Sequence, residues 1–234
     1  MDNYFLFIDT EASGLPKKWS LSYDHDDNWP HAVQISWIIY DDKQVEIARQ
    51  NHFVLNDGFE ISESAFQIHH ISTDYLQQHG KDRTQVLKLL TADIERYKPL
   101  LVGHFVKFDY YLLSAGYYRS KMENPLANTP VFCTMQASGG LFENTTGRKL
   151  LLNELHRLLF QDDMSDRHNA ITDAAATAQC FFKLWNDGKI NAGMLDRQNL
   201  ESHQWRDPAK TASGCFLPSL IVFLVLGLII YLCL

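Results

Sequence analysis

The sequence has few cysteines and little positive charge. Its 234 residues include four cysteines, none in a CxxC pair, and 21 basic residues against 28 acidic ones. The cysteine pattern argues against a disulfide framework or a zinc-binding motif. The formal net charge of −7 argues against a protein that binds nucleic acid through a general positive surface. An apolar content of 46% indicates a globular chain rather than a disordered or fibrous one.

Charge is absent from residues 215–234. Fourteen of these 20 residues are Leu, Ile, Val or Phe. As a helix they would be about 30 Å long, which matches the hydrocarbon core of a bilayer, and insertion would contribute on the order of −5 kcal/mol. A buried helix of a soluble protein rarely runs this long without a polar side chain. We therefore expect a single-pass transmembrane anchor here.

The rest of the chain is expected to divide into a folded domain over residues 1–186 and a polar linker over residues 187–214. The N-terminus lacks the basic and apolar regions of a signal peptide, so the C-terminal segment is the expected membrane anchor. Arg206 and Lys210 precede this segment, and the positive-inside tendency then orients the folded domain towards the cytosol.

Apolar periodicity predicts a mixed α/β domain built in three layers. Four buried or half-buried strands are expected, over Tyr4–Ile8, Ala32–Tyr40, Val45–Leu55 and Leu100–Gly103. Helical spacing of apolar residues predicts four helices, over Thr84–Tyr97, from Phe108 towards Gly116, and over Leu151–Phe160 and Ala170–Trp185.

Acidic residues follow the predicted buried strands and open the predicted helices. Asp9 and Glu11 are two residues apart at the end of the first strand, so an extended chain points both carboxylates the same way. Asp109 and Asp173 each open a helix, where a carboxylate also interacts favourably with the helix dipole. Taken singly, each acid has a structural explanation as a solvated turn or a helix-start residue. Together they predict a cleft of oxygen ligands for a hard divalent cation, with His168 in a loop position suited to a general base.

Three motifs resemble those of the DEDDh branch of the 3′-5′ exonucleases, which includes the proofreading epsilon subunit of the replicative polymerase. The first is FIDTEASGLP at 7–16, the second GHFVKFD at 103–109 and the third HNAITDA at 168–174. The sequence departs from this pattern at Phe105, where the family usually has asparagine, and at His70, where it usually has glycine. The resemblance implies an RNase H-like fold, with three layers around a central mixed sheet.

The resemblance also implies a mechanism. Two Mg²⁺ or Mn²⁺ ions would be held by four acids, namely Asp9, Glu11, Asp109 and Asp173. His168 would deprotonate the attacking water, and a nucleoside 5′-monophosphate would leave from a 3′ end. No covalent intermediate is expected.

Contacts to the substrate are expected from residues inside the motifs. By the same resemblance, Thr10 would offer a main-chain contact to the terminal nucleotide, and Leu15 or Phe105 would wedge against its base. Tyr110 and Tyr111 follow the third acid, and one of them could stack on an unpaired base while the other points into the core.

Basic residues near the motifs could contact phosphates, although such residues more often belong to a solvated face; they are Lys17, Lys18, Lys107, Arg148 and Lys149. The motifs do not distinguish DNA from RNA. Single-stranded DNA is the expected substrate, and an exoribonuclease is the alternative. A third possibility is an inactive, membrane-tethered module that binds nucleic acid or a protein, but the intact acids and histidine argue against it.

Overall fold

A five-stranded mixed sheet forms the centre of the structure, a computed structural model that describes residues 3–25, 27–139, 149–164 and 168–206. Its strands are β1 (Phe5–Ala12), β2 (Ala32–Tyr40), β3 (Glu46–Phe53), β4 (Leu100–Gly103) and β5 (Val131–Cys133). Their order across the sheet is β3-β2-β1-β4-β5. Strand β1 runs antiparallel to β2 and parallel to β4, so the predicted mixed sheet is confirmed.

Eight α-helices are found in the described part of the chain: α1 (Glu63–His69), α2 (Thr73–His79), α3 (Arg83–Tyr97), α4 (Val106–Arg119), α5 (Thr134–Gly139), α6 (Leu152–Phe160), α7 (Ala170–Asn186) and α8 (Ala192–Arg206). The first three begin at side-chain caps. Ser62, Ser72 and Asp82 each accept a hydrogen bond from the backbone N–H three residues further on, which satisfies a donor that the helix leaves open.

Helices cover both faces of the sheet. Phe7 of β1 packs against Phe181 of α7, with their ring centroids 5.5 Å apart. Side chains alternate along a strand, so Ile8 points to the opposite face, as does its cross-strand partner Trp37. The Trp37 indole donates a hydrogen bond to Asp93 of α3 at 2.8 Å. The sheet therefore lies between α7 and α3, an arrangement that fits an RNase H-like exonuclease fold.

Strand β1 is longer than predicted. It continues past Ile8 to Ala12, because Asp9, Thr10 and Glu11 remain paired with β2 up to a bulge after Glu11. The acids therefore lie within the strand rather than after it. Strand β5 was not predicted, since three residues are too few to show a periodic pattern.

The predicted polar linker is also different in the structure, because residues Ala192–Arg206 form α8. Leu195 packs against the apolar cluster around Phe181. The amide side chain of Gln198 accepts a hydrogen bond from the Cys133 N–H at 2.8 Å and donates one to the Cys133 carbonyl at 3.3 Å. A polar side chain of α8 thus hydrogen-bonds to the backbone of edge strand β5. Hydropathy does not reveal such a contact, and this is why the polar segment was predicted to be a linker.

The chain divides into two units, with the boundary between Asn199 and Leu200. Among the described residues, no helix has both the length and the apolar character needed to cross a membrane. The predicted anchor at 215–234 lies outside the described residues.

Candidate active site

Strand β1 and helix α7 bring three of the predicted acids together. Asp9 and Glu11 lie on the same face of β1, because they are two residues apart in an extended chain. Asp173 is in the first turn of α7, which packs on that face. One carboxylate oxygen from each of these three residues lies within 4.8 Å of the others.

The fourth predicted acid adjoins this group. Asp109 is buried in the first turn of α4, and its Oδ1 accepts a hydrogen bond from the Thr10 hydroxyl at 2.6 Å. Its charge contributes to the raised pKa values of Asp9 and Glu11. Thr10 is itself buried, so its side chain positions Asp109, and the expected main-chain contact of Thr10 with a nucleotide stays a prediction.

Without a counter-charge, these acids resist ionisation. Burial, followed by the charges of Asp173 and Asp109, raises the pKa of Glu11 to about 8. Burial and the charges of the other three acids raise the pKa of Asp9 well above its usual range. Burial raises the pKa of Asp109 to about 7, although the hydrogen bond from Thr10 acts in the opposite direction. A divalent cation would remove this repulsion, and carboxylate oxygens are the ligands that Mg²⁺ and Mn²⁺ prefer. The donor set therefore fits such a metal.

His168 lies at the exposed rim of the cluster, two residues before α7. Its backbone N–H donates a hydrogen bond to Asp173 Oδ2 at 3.3 Å, and its φ of 64° is in the left-handed region. This places the predicted general base next to an acid of the cluster, with its imidazole accessible to solvent.

Gln34 of β2 was not among the predicted site residues. Its buried side chain donates hydrogen bonds to Asn51 Oδ1 at 2.9 Å and to Asn169 Oδ1 at 3.0 Å, and it accepts one from the Ala170 N–H at 3.2 Å. Because Gln34 pairs with Glu11 across the sheet, one side chain connects the acidic strand to the start of α7. The signal in the sequence was a polar residue within a continuously buried strand.

Two histidines have structural contacts near the site. Nδ1 of His69 accepts a hydrogen bond from the Ile71 N–H at 3.0 Å, so Nε2 donates to the Ala12 carbonyl at 3.2 Å. The ring thereby joins the end of α1 to the end of β1. Burial lowers the pKa of His104 to about 4, and its Nε2 lies 3.0 Å from the Leu150 carbonyl. Burial lowers the pKa values of both rings, which favours their neutral forms, and neither ring points to a role in proton transfer.

Two of the basic residues predicted to contact phosphates are close to each other. Burial and then the charge of Lys149 lower the pKa of Lys107, so two cations share one region beside the second motif. Lys17 and Lys18 are exposed just after the first motif, whereas Arg148 lies outside the described residues.

The predicted substrate-contacting apolar residues differ in their exposure. Leu15 is 75% exposed and Phe105 is 39% exposed, so both are available to a ligand. Tyr110 and Tyr111 are both buried, and the prediction that one of them could stack on a base is therefore wrong. Helix α4 starts at Val106 rather than near Phe108. Tyr111 stacks on buried Trp29 at 4.6 Å and Tyr110 meets Tyr111 edge to face at 5.9 Å, so both rings belong to the core.

Comparison with solved structures shows the same fold in exonuclease I. The complex of E. coli exonuclease I with a dT13 oligonucleotide matches with a TM-score of 0.64 and 18% identity, over 78% of this chain and 40% of that one. A structure of exonuclease I described as suggesting how processivity is achieved gives a TM-score of 0.67 and 16% identity, over 86% and 44%. The zinc-bound form of the E. coli exonuclease I complex with single-stranded DNA gives 0.65 and 15%, over 85% and 43%. This chain thus spans less than half the length of these proteins.

A search of curated proteins finds no match to the sequence. The family model for the exonuclease family RNase_T, in contrast, matches residues 6–181. This range covers most of the chain and contains the four acids and His168. The chain therefore belongs to the exonuclease family.

Proposed function

We propose that this exonuclease is of the DEDDh type and removes nucleoside 5′-monophosphates from the 3′ end of single-stranded nucleic acid by metal-dependent hydrolysis. The observation that carries this proposal is the meeting of Asp9, Glu11 and Asp173 within 4.8 Å, with buried Asp109 beside them and His168 at the rim. Acidic clusters of this kind, beside an accessible imidazole, suit phosphodiester hydrolysis.

The four acids would hold two Mg²⁺ or Mn²⁺ ions. When bound, these ions supply positive charge that stabilises the attacking and leaving oxygens of an in-line displacement. Thr10 holds the Asp109 carboxylate in place, and Gln34 holds the start of α7, so the ligand set is organised before substrate arrives. His168 accepts the proton of the attacking water, because its imidazole is exposed beside Asp173.

DNA is the substrate that we favour over RNA. Two structures with the same fold are complexes of E. coli exonuclease I with the oligonucleotides dT13 and dA16, which supports a single DNA strand as substrate here. Of the two residues predicted to wedge against the terminal base, we retain Leu15, which is exposed. Lys107 and Lys149 would attract the backbone phosphates locally, despite the overall charge of −7.

The test uses 5′-labelled single strands, one of DNA and one of RNA, with Mg²⁺ or with EDTA. Asp173→Asn removes one charge of the cluster. Asp74→Asn is the matched control, because Asp74 is also an acid in the first turn of a helix but is exposed on α2. We expect metal-dependent ladders that shorten from the 3′ end, with DNA degraded faster, in the wild type and in Asp74→Asn only. Cleavage of RNA alone would establish the exoribonuclease, and intact strands in every lane would refute the proposed activity.

We also propose that residues 215–234 attach the enzyme to a membrane, with the exonuclease domain on the cytosolic side. The support is the absence of charge from 20 consecutive residues. Flotation of the full chain with lipid vesicles tests this proposal. Val225→Arg combined with Leu226→Arg should abolish flotation, since each arginine costs about 2.5 to 3.5 kcal/mol near the centre of a span. Wild-type protein that stays at the bottom of the gradient would refute the anchor.

A further inference from the structure

Three aromatic rings form a partly exposed platform, which includes Phe105, one helical turn before Asp109 of the acidic cluster. We define the aromatic platform as Trp19, Phe105 and Phe108. The Trp19 ring lies 5.6 Å from Phe105 and 5.8 Å from Phe108, and the rings of Phe105 and Phe108 are parallel at 6.5 Å. Trp19 is 42% exposed and Phe105 is 39% exposed. Large rings gathered at a surface beside a site of this kind require an explanation beyond core packing.

A buried layer holds the Trp19 ring in position. Trp29 is 3% exposed, meets Trp19 edge to face at 5.9 Å and stacks on buried Tyr111 at 4.6 Å. The Trp29 indole N–H lies 3.2 Å from the Leu21 carbonyl and 3.1 Å from the Ser22 carbonyl, so the loop that follows Trp19 is attached to it. The exposed ring therefore rests on a fixed base.

Asn28 fixes the backbone next to Trp19. Its buried amide side chain accepts a hydrogen bond from the Lys18 N–H at 2.8 Å and donates one to the Lys18 carbonyl at 3.0 Å. The Lys17 N–H also donates to the Asn28 carbonyl at 3.0 Å. These contacts organise the loop before any ligand binds, and an organised aromatic surface loses little conformational freedom on binding.

Phe105 has an unusual backbone conformation. It precedes α4 with φ 67° and ψ 35°, in the left-handed region that bulky side chains rarely adopt. Strained residues of this kind are concentrated at functional sites. Asp109 follows four residues later, about 6 Å further along the helix axis. The strained backbone thus presents the Phe105 ring at the surface beside the acidic cluster.

Lysines next to the platform residues in the sequence favour a nucleic-acid strand as its occupant. Lys17 and Lys18 are exposed next to Trp19, and Lys107 lies between Phe105 and Phe108 in the sequence. Flat aromatic faces with lysines adjacent in the sequence match unpaired nucleobases on a phosphate backbone. An apolar protein segment would gain nothing from these cations.

We propose that the unpaired bases immediately 5′ of the scissile nucleotide stack on Trp19 and Phe105, which makes the enzyme selective for single-stranded 3′ ends. This inference rests on the proposed function, because a 3′ end held at the acidic cluster places the preceding nucleotides over the aromatic platform. Paired bases have both faces covered by their neighbours in the duplex and are not available for this contact.

The experiment combines variants of the protein with an altered strand. The affinity for a fluorescent single-stranded DNA is measured by anisotropy in Mg²⁺ with His168→Gln protein, so that the strand persists. To this background Trp19→Ala, Trp19→Phe, Phe105→Ala or Tyr118→Ala is added. Tyr118 is the matched control, because it is 49% exposed on α4 far from Asp109. A second strand lacks the bases at the two positions 5′ of the terminal nucleotide.

We expect Trp19→Ala and Phe105→Ala each to weaken binding about tenfold, since one stacked base contributes enough for a change of this size. Trp19→Phe should retain most of the affinity, and Tyr118→Ala should have no effect. The strand without the two bases should bind weakly to the background protein, and Trp19→Ala should then cause no further loss. If Trp19→Ala lost affinity equally for both strands, or lost affinity for neither strand, the proposal would be overturned. Hydrolysis by wild-type protein is measured separately, so failure of the proposed activity is distinguishable from failure of the platform.

Discussion

The acidic cluster and the aromatic platform adjoin at the start of α4, where Asp109 follows Phe105, but they are built in opposite ways. The acids lie on regular elements and are largely shielded from solvent, which raises the pKa values of Glu11 and Asp109 to about 8 and about 7. The platform is exposed, and the contacts of a loop hold Trp19 in place. Under the proposed function this difference implies a division of labour, in which buried charge would perform the chemistry and exposed rings would select the strand.

The largest effect is expected from Asp173→Asn. This change removes a charge of the cluster while it keeps the size of the side chain. We expect the hydrolysis rate to fall by about 10³-fold or more, because metal ions contribute several kcal/mol to stabilisation of the transition state. Gel assays with Asp74→Asn as the control measure the loss. A rate within tenfold of the wild type would show that Asp173 is not a ligand.

A smaller loss is expected from His168→Gln. Removal of a general base typically costs about 10²- to 10⁴-fold in rate. The acids remain intact, so metal binding measured by isothermal titration should persist. Addition of imidazole should restore part of the activity if the ring acts only as a proton acceptor. Unchanged turnover in this variant would assign the proton transfer elsewhere.

Gln34→Leu tests whether the acidic cluster depends on buried positioning. The change leaves the amides of Asn51 and Asn169 without their shared partner, which costs about 1 to 3 kcal/mol of stability. We expect activity to fall about tenfold as the start of α7 shifts by a fraction of an ångström. Gln67→Leu on the exposed surface of α1 is the control. Equal activity of both variants would show that Gln34 serves stability alone.

The smallest expected effect concerns the pH dependence of stability, which should change in a variant of the acidic cluster but not in a variant of the aromatic platform. In metal-free protein, Glu11 and Asp109 have folded pKa values of about 8 and about 7, above their ordinary values of 4.5 and 3.8. The folded state therefore binds more protons than the unfolded state between pH 4 and 8, and stability should fall as the pH rises through this window. Mg²⁺ should raise the melting temperature more at pH 8 than at pH 5. Scanning calorimetry of Trp19→Ala should give the same slope, whereas Asp173→Asn should flatten it.

The sequence predicted four of the five strands found in the described residues and the elements that carry the acids, because both depend on local patterns. The strands Ala32–Tyr40 and Leu100–Gly103 are found at their predicted bounds. The first is apolar except for Gln34 and Ser36 and ends before Asp41, and the second is an apolar run that follows a proline. Asp9 and Glu11 share a face because of the period of an extended chain, and Asp173 is in the first turn of the predicted helix. Such features require no knowledge of the tertiary structure.

The aromatic platform and the packing of α8 could not be predicted in this way. Trp19 and Phe105 are 86 residues apart, and no periodic pattern connects a loop with the start of a helix. Helix α8 attaches to β5 through the amide of Gln198, a polar contact that hydropathy does not reveal. The prediction for Tyr110 and Tyr111 was wrong in the opposite sense. Their position beside Asp109 suggested that one of them could stack on a base, but both are buried.

The most direct test of this division of labour is a single-turnover titration, in which enzyme in excess is varied over a labelled single-stranded DNA. The maximal rate reports the chemistry, and the half-saturating concentration reports binding of the strand. We predict that His168→Gln lowers the maximal rate at least about 10²-fold with little change in half-saturation, and that Trp19→Ala raises half-saturation about tenfold with a maximal rate close to that of the wild type. A loss of maximal rate in Trp19→Ala comparable to that in His168→Gln would contradict the account, because both regions would then act in the same step.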